Sequence, residues 1–237
     1  MKLHSRNYAQ LTFTMLKAVI FDLDGTLTDS DKVHYQIFQD FFAKHGVALN
    51  RTLYRQKISG RQNIAILADF LPQLSAKEGE TFSTQKEAAF REKAKGQLTP
   101  LPGLIDLLAQ LSAQNLAAAI VTNAPTENAY FMLQTLGLSN RFSPIVIGDE
   151  LPRGKPDPLP YQTALSKLGI SASEAIVFED STAGIKSAVG AGIFTIGITT
   201  THSASELKAV GASQTIADFT NPLIQSLLKH QDSFAPA

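Results

Sequence analysis

Residues 19–31 read VIFDLDGTLTDSD, and this stretch decides the fold. The apolar run of residues 19–21 ends in a carboxylate, Asp22, and a second carboxylate, Asp24, follows two positions later. Desolvating a carboxylate at the end of a buried strand costs free energy unless another group compensates for it. The sequence therefore predicts a strand that ends in a functional site, with a compensating group facing Asp22.

The composition limits the classes of protein to consider. The chain has 237 residues, 44% of them hydrophobic, which is enough for one sizeable core and a smaller second lobe. Its 21 basic and 21 acidic residues balance, and no basic run resembles a nucleic-acid footprint, so no nucleic-acid partner is expected. The absence of cysteine excludes disulfides, thiolate metal sites and cysteine nucleophiles.

The sequence contains no targeting signal that we recognise. No apolar stretch approaches the roughly 20 residues that a membrane span needs, and the N-terminus lacks the apolar centre of a signal peptide. A cytoplasmic protein without a membrane partner is expected. Residues 1–14 are polar and unpatterned, and we predict a disordered lead-in there.

The rest of the chain falls into two regions with different sequence patterns. Residues 31–98 carry helical stripes and no convincing strand, which predicts an inserted unit of roughly four helices. A turn-rich boundary, TPLPG at 99–103, follows it. Short apolar strands then alternate with helices as far as a last strand in QTIAD, residues 214–218.

This alternation is typical of an α/β fold. It predicts a Rossmann-like parallel sheet with helices on both faces, formed by residues 15–30 and 99–237, with the helical unit inserted at 31–98. Ligands of such sheets bind outside the carboxyl ends of the strands. Polar residues follow four of the predicted strands, and we expect them in one crevice: Asp22 and Asp24, Thr122 and Asn123, Lys155, and Glu179 and Asp180.

The carboxylates of this crevice predict a metal site. Asp22 and Asp24, two apart on an extended segment, point to the same side and repel each other unless a cation neutralises them. Asp180 adds a third oxygen ligand from a neighbouring strand. Few protein oxygens shared with a phosphate suit Mg²⁺.

The remaining groups suit a phosphate. Lys155 supplies a compact positive charge, Thr122 a hydroxyl, and the turn at Gly25 and Thr26 its backbone N–H groups. Together these groups predict phosphoryl transfer, in which Asp22 attacks phosphorus to give an aspartyl-phosphate. Asp24 would protonate the leaving alcohol and then deprotonate the attacking water.

Four motifs in order resemble those of the haloacid dehalogenase superfamily, phosphatase branch: FDLDGT at 21–26, VTN at 121–123, GKPDP at 154–158 and FEDS at 178–181. The segments around the first and last motifs are similar to the β-phosphoglucomutase-like subgroup, and the helical insertion resembles the superfamily's cap. The resemblance covers residues 15 to about 220. It implies a hydrolase that acts on a small phosphorylated metabolite.

The resemblance also implies a role for each matching residue. Asp22 matches the nucleophile, and Asp24 the acid/base, whose backbone carbonyl also binds Mg²⁺. The other matches are Thr122 as the phosphate-binding hydroxyl, Asn123 and Ala124 as its loop, Lys155 as the charge-stabilising lysine, Asp180 as a metal ligand and Glu179 as a residue supporting the metal site.

Two residues of the insertion keep two interpretations each. His34 is either a structural helix histidine or the group that couples cap closure to Asp24, since the subgroup has a histidine at this offset. Arg61 either clamps a second anionic group of the substrate or solvates a helix start. The phenylalanines at 38, 41, 42, 70 and 90 are expected to form the core of the cap.

The alternative activity is that of a β-phosphoglucomutase-type sugar phosphomutase. Such an enzyme needs cationic cap residues for a second phosphate, yet Asn63 stands where an arginine is expected, and Phe90 stands at a second such position, with Arg91 nearest. These departures favour hydrolysis.

A phosphorelay receiver domain would be about half this length and would have no insertion. A monomer or weak dimer is expected.

Overall fold

Six parallel strands form one sheet in the computed structural model, which describes residues 15–229. The strands are β1 (Ala18–Phe21), β2 (Ala117–Thr122), β3 (Ile145–Ile147), β4 (Ala175–Glu179), β5 (Phe194–Ile198) and β6 (Gln214–Ile216). Their order in the sheet is β3-β2-β1-β4-β5-β6, so β1 lies in the middle, with Phe21 opposite Ile120 on one side and Phe178 on the other. The predicted α/β fold with a parallel sheet is confirmed.

Ten α-helices connect the described strands or follow them. They are α1 (Asp31–Ala43), α2 (Arg51–Lys57), α3 (Asn63–Phe70), α4 (Ala76–Ala94), α5 (Leu104–Ala113), α6 (Thr126–Thr135), α7 (Leu159–Leu168), α8 (Thr182–Gly190), α9 (Ala204–Ala209) and α10 (Pro222–Lys229). Among the described residues, no helix combines the length and the hydropathy that crossing a membrane requires.

The sheet buries both of its faces, because successive side chains of a strand point to opposite sides. On β1, Val19 and Phe21 pack into a cluster that α5, α6 and α10 also enter. Ile20 lies in a second cluster with residues of α7 and α8. This two-sided burial explains why the strands appear in the sequence as continuous apolar runs.

Helices α1–α4 lie between β1 and α5, in the range where four helices are predicted. Local signals explain their ends: Gly46 after α1 adopts a φ of 74°, and Ser75 and Glu78 form a capping box at the start of α4. An apolar cluster joins the four helices and contains Phe38 and Phe42, with Phe41 and Phe70 packed against it.

Several details differ from the prediction. Phe90 packs into the cluster on the sheet and not into the cluster within α1–α4, and its ring stacks on His34 of α1. Strand β3 is only three residues long and continues as a 3-10 turn, Gly148–Glu150. Helix α10 was not predicted, although its apolar spacing buries Ile224 and Leu228. The predicted lead-in at 1–14 lies outside the described residues.

Candidate active site

Asp22 follows the central strand directly and is almost fully buried. Its backbone N–H donates to the Phe178 carbonyl at 3.0 Å, which extends the β1–β4 ladder by one residue. Its carboxylate meets the ammonium of Lys155, with 2.6 Å between Lys155 Nζ and Asp22 Oδ1. Lys155 is therefore a group that compensates for the burial of Asp22.

Lys155 is held by three acceptors. Besides Asp22, its Nζ donates to the Val121 carbonyl at 2.8 Å and to Glu179 Oε1 at 2.5 Å, which matches the three donors of an ammonium group. Burial lowers the pKa of Lys155, but the two carboxylates outweigh this effect and the net pKa is raised. The positive charge of Lys155 is therefore fixed in place.

Glu179 supports Lys155 from below. It is fully buried, and its carboxylate accepts further hydrogen bonds from Tyr161 Oη at 2.9 Å and Ser181 Oγ at 3.2 Å. Gly184 makes room for this carboxylate, since a Cβ at position 184 would lie 1.9 Å from Glu179 Oε1. These contacts agree with a supporting position behind the site.

Asp22, Glu179 and Asp180 form a cluster that could hold a metal ion, because one oxygen from each lies within 4.8 Å of the others. Burial raises the pKa of Asp22 to about 7 against the lowering effect of Lys155. Burial and the neighbouring Asp22 raise the pKa of Asp180 well above its ordinary value. A divalent cation would relieve this cost, and a set of carboxylate oxygens suits Mg²⁺.

Gly25 leaves space beside this cluster. Its φ of +74° favours glycine, and a Cβ there would lie 2.0 Å from Asp180 Oδ2. The turn itself differs from the prediction, however. The Gly25 N–H donates to the Thr28 carbonyl at 2.9 Å and the Thr26 N–H to the Leu23 carbonyl at 3.4 Å, so both are used within the turn.

The Asp24 carboxylate contacts two residues at the start of α1. Its Oδ1 accepts from Ser30 Oγ at 2.7 Å and lies 2.9 Å from His34 Nε2. The ring of His34 stacks on Phe90, with 4.1 Å between the ring centroids. Burial raises the pKa of Asp24, but His34 and Ser30 outweigh it and the net pKa is lowered. Of the two interpretations of His34, this contact favours the one that involves Asp24.

The loop after β2 joins three parts of the chain. Thr122 Oγ1 accepts from the Ala124 N–H at 2.9 Å, which shapes the loop. The Asn123 amide donates to the Gly60 carbonyl at 2.9 Å and to the Lys155 carbonyl at 3.1 Å, and it accepts from the Lys155 N–H at 3.1 Å. Asn123 thereby connects the loop before α3 with the segment that carries Lys155.

These groups surround a cleft between the sheet and helices α1–α4. Nine of the predicted site residues line it: Asp22, Asp24, Gly25, His34, Arg61, Thr122, Asn123, Ala124 and Asp180. Three others lie behind its surface: Thr26, which is fully buried, Lys155 and Glu179. Arg61 forms an ion pair with Asp69, with 2.8 Å between Arg61 Nη1 and Asp69 Oδ2.

Among the cleft residues that were not predicted as site residues, four are connected to one another: Asn63, Lys86, Glu87 and Asn128. They form a network in which Glu87 Oε1 accepts from Lys86 Nζ at 2.7 Å and from Asn63 Nδ2 at 2.6 Å. Glu87 Oε2 accepts from Asn128 Nδ2 at 2.5 Å. Lys86 and Glu87 lie in a polar helix that resembles a solvated surface, so no sequence signal marks them.

A central strand followed by a buried carboxylate, with a lysine and two acids from later parts of the chain beside it, defines a class of hydrolase. The family model described as haloacid dehalogenase-like hydrolase matches residues 19–198, and the chain belongs to this family. The resemblance seen in the four motifs is thereby confirmed.

Relatives that are named for an enzyme activity match most of the chain. Validoxylamine A 7'-phosphate phosphatase of Streptomyces hygroscopicus subsp. limoneus is 35% identical over 81% of this chain and 90% of its own. The β-phosphoglucomutase of Bacillus subtilis is 30% identical over 77% and 83%. CbbY from Rhodobacter sphaeroides, solved with xylulose-(1,5)bisphosphate, shares 25% identity and a TM-score of 0.78 over 87% and 96% of the two chains.

Proposed function

We propose that this protein is a Mg²⁺-dependent phosphatase that hydrolyses small phosphorylated metabolites through a phosphorylated Asp22. The observation that carries the proposal is the buried Asp22 carboxylate, 2.6 Å from Lys155 and within the acidic cluster, at the base of a cleft. Family membership supports hydrolysis, and the phosphatase among the relatives supports a phosphate ester as substrate.

The residues suited to hold Mg²⁺ are Asp22 and Asp180 through their side chains and Asp24 through its backbone carbonyl. The raised pKa values of Asp22 and Asp180 support this assignment, because both carboxylates are buried where a positive charge would stabilise them. When bound, the ion supplies charge that screens the phosphate from the carboxylate nucleophile. Glu179 acts from behind by holding Lys155.

The chemistry then follows from the positions of the side chains. An Asp22 oxygen forms a bond to phosphorus while the bond from phosphorus to the leaving oxygen breaks, and Asp24 in its protonated form gives its proton to that oxygen. Because His34 and Ser30 lower the pKa of Asp24 in the free protein, this step requires Asp24 to take up a proton when the substrate binds. Lys155 and the Thr122 hydroxyl compensate the charge on the phosphoryl oxygens. In the second half, Asp24 takes a proton from water and the water oxygen forms a bond to phosphorus. The bond between phosphorus and the Asp22 oxygen breaks, which releases phosphate and restores the free Asp22 carboxylate.

In this proposal residues 31–98 act as a cap over a core formed by residues 15–30 and 99–229. Two bonds across the cleft support it: Asn123 Nδ2 to the Gly60 carbonyl at 2.9 Å, and Gln62 Nε2 to Asp149 Oδ1 at 2.7 Å. Closing the cap would exclude bulk water from the phosphoryl transfer and restrict the substrate to small molecules.

The pairing of the cap cations favours hydrolysis over a phosphomutase. A mutase needs free positive charge for a second phosphate, but Arg61 is paired with Asp69 and Lys86 with Glu87. Arg91, which the sequence placed nearest to a second cationic position, donates to Asn128 at 2.6 Å and does not line the cleft.

A two-channel assay with Mg²⁺ tests the proposal. One channel reads inorganic phosphate from a panel of phosphorylated metabolites and p-nitrophenyl phosphate; the other reads glucose 6-phosphate formed from β-glucose 1-phosphate primed with glucose 1,6-bisphosphate. We expect phosphate release that disappears in Asp22→Asn. Glucose 6-phosphate without phosphate release would establish the mutase, and turnover retained by Asp22→Asn would refute the nucleophile.

A further inference from the structure

Glu87 places an ionised carboxylate in the wall of the cleft opposite the sheet. Its side chain, on α4, is only 7% exposed, and it accepts hydrogen bonds from Lys86, Asn63 and Asn128. Burial raises the pKa of Glu87, but Lys86 and the other donors outweigh it and the net pKa is lowered. The carboxylate is thus held as an anion by groups from α3, α4 and α6.

Lys86 is neutralised by this contact. Its ammonium lies 2.7 Å from Glu87 Oε1 and 4.5 Å from the centroid of the Phe38 ring, and its side chain is 4% exposed. The other Lys or Arg side chain that lines the cleft within residues 15–229 is Arg61, which is bound to Asp69. This wall therefore offers an incoming anion no unpaired lysine or arginine.

The same wall suits hydroxyl groups. A hydroxyl can donate to a carboxylate and accept from an ammonium or an amide, and Glu87, Lys86, Asn63 and Asn128 provide all three kinds of group along the cleft. A second phosphate or a carboxylate on the substrate would instead meet the pair of Lys86 and Glu87, whose charges cancel, so the wall offers it no net positive charge.

We infer that Glu87 determines the substrate class, by admitting phosphomonoesters with a neutral, hydroxyl-rich leaving group and rejecting those with a second anionic group. The inference rests on the proposed phosphatase activity and deepens it. Specificity then comes from Glu87 withholding the charge of Lys86 as well as from attractive contacts to hydroxyl groups. Because Lys86 is the partner of Glu87, removing the Glu87 charge should weaken the preference for monophosphates, and removing the Lys86 charge should strengthen it.

The experiment compares fructose 6-phosphate with fructose 1,6-bisphosphate, which differ by one phosphate. The quantity measured is the ratio of kcat/KM for the monophosphate to that for the bisphosphate. We expect wild type to prefer the monophosphate by about tenfold or more, Glu87→Gln to lower the ratio about tenfold by freeing Lys86, and Lys86→Gln to raise it. Glu92→Gln, exposed on the same helix, is the control and should leave the ratio unchanged.

Opposite shifts separate a role in specificity from structural damage, which would move both variants in one direction. A wild type that prefers the bisphosphate, a ratio that neither variant changes, or a shift of the same sign in both would overturn the inference. Lys86→Gln keeps Glu87 and its amide partners, so it decides the matter if Glu87→Gln does not fold. Hydrolysis of p-nitrophenyl phosphate by wild type is scored separately, because its absence refutes the phosphatase and not the role of Glu87.

Discussion

The two walls of the cleft are built differently. On the sheet wall, formed by the residues that follow the strands, the side chains are tied to the backbone: Lys155 donates to the Val121 carbonyl and Thr122 accepts from the Ala124 N–H. On the cap wall, formed by residues of α1–α4, Arg61 also donates to backbone carbonyls, but Lys86 and Glu87 are held by other side chains, as between Glu87 and Asn63.

We infer from this difference that the sheet wall carries the proposed phosphoryl transfer and that the cap wall determines which substrates bind. Backbone anchors hold the sheet wall as long as the sheet exists, so the groups proposed for phosphoryl transfer keep their positions whatever substrate arrives. Contacts between side chains change with a single substitution, so the cap wall can acquire a new preference without altering the sheet. Substitutions in the sheet wall should therefore affect kcat and stability, and those in the cap wall should affect KM and substrate choice.

The largest effect is expected for Lys155→Met. The substitution leaves Asp22 and Glu179 buried without their shared cation, so kcat should fall about 1,000-fold and the free energy of unfolding by about 3–5 kcal/mol. Steady-state kinetics and urea unfolding measure the two quantities. Lys167→Met, on the exposed side of α7, is the matched control. A kcat within tenfold of wild type would contradict the assignment of Lys155.

A smaller, pH-dependent effect is expected for the stability of Asp22→Asn without metal. The pKa of Asp22 is raised from 3.8 to about 7, so between these values the folded state keeps a proton that the unfolded state releases. The free energy of unfolding of wild type therefore falls as pH rises through this window, and asparagine removes that loss. The variant should gain stability relative to wild type, by on the order of 4 kcal/mol at most.

Urea unfolding in EDTA at pH 5, 6, 7 and 8 measures this difference. The gain should grow up to about pH 7 and then level off, and it should shrink when Mg²⁺ is added. A difference between variant and wild type that stays constant over the whole range would show that Asp22 is not protonated in the folded protein.

The smallest effect is expected for the hydrogen bond between Gln62 and Asp149, which joins the cap wall to the 3-10 turn after β3. Gln62→Ala removes an exposed hydrogen bond to Asp149, so KM should rise only about twofold and kcat should not change. Gln56→Ala, exposed on α2, controls for the loss of a surface glutamine. If KM rises more than tenfold, this single bond contributes far more to the cap wall than its exposure implies.

The sequence was informative where a residue's position follows from a strand. Asp22, Thr122 and Asp180 each come after an apolar run, and parallel strands bring their carboxyl ends to one edge, so the crevice could be predicted without a structure. The direction of a turn is not encoded in that way. The backbone N–H of Thr26 was assigned to the phosphate site, yet it donates to the Leu23 carbonyl within the turn.

The cap wall could not be predicted, because nothing in a helix of lysine, glutamate and alanine distinguishes a buried ion pair from a solvated one. Lys86 and Glu87 are adjacent in α4, and only the packing of α4 against α1 and α6 shows that both are buried. Asn128 shares this difficulty on α6. Arg91 was selected from its offset alone, and its bond to Asn128 shows that an offset does not determine which face a helix presents.

Gly184 limits which positions of this protein can be substituted to raise its stability. Replacing a glycine within a helix by alanine is a routine way to raise a melting temperature, and α8 would gain about 1 kcal/mol of helix propensity from it. The new methyl group would occupy the volume of the Glu179 carboxylate, which holds the amine of Lys155. Automated stabilisation of this enzyme should therefore exclude position 184, where the usual gain in thermal resistance would come at the expense of the active centre.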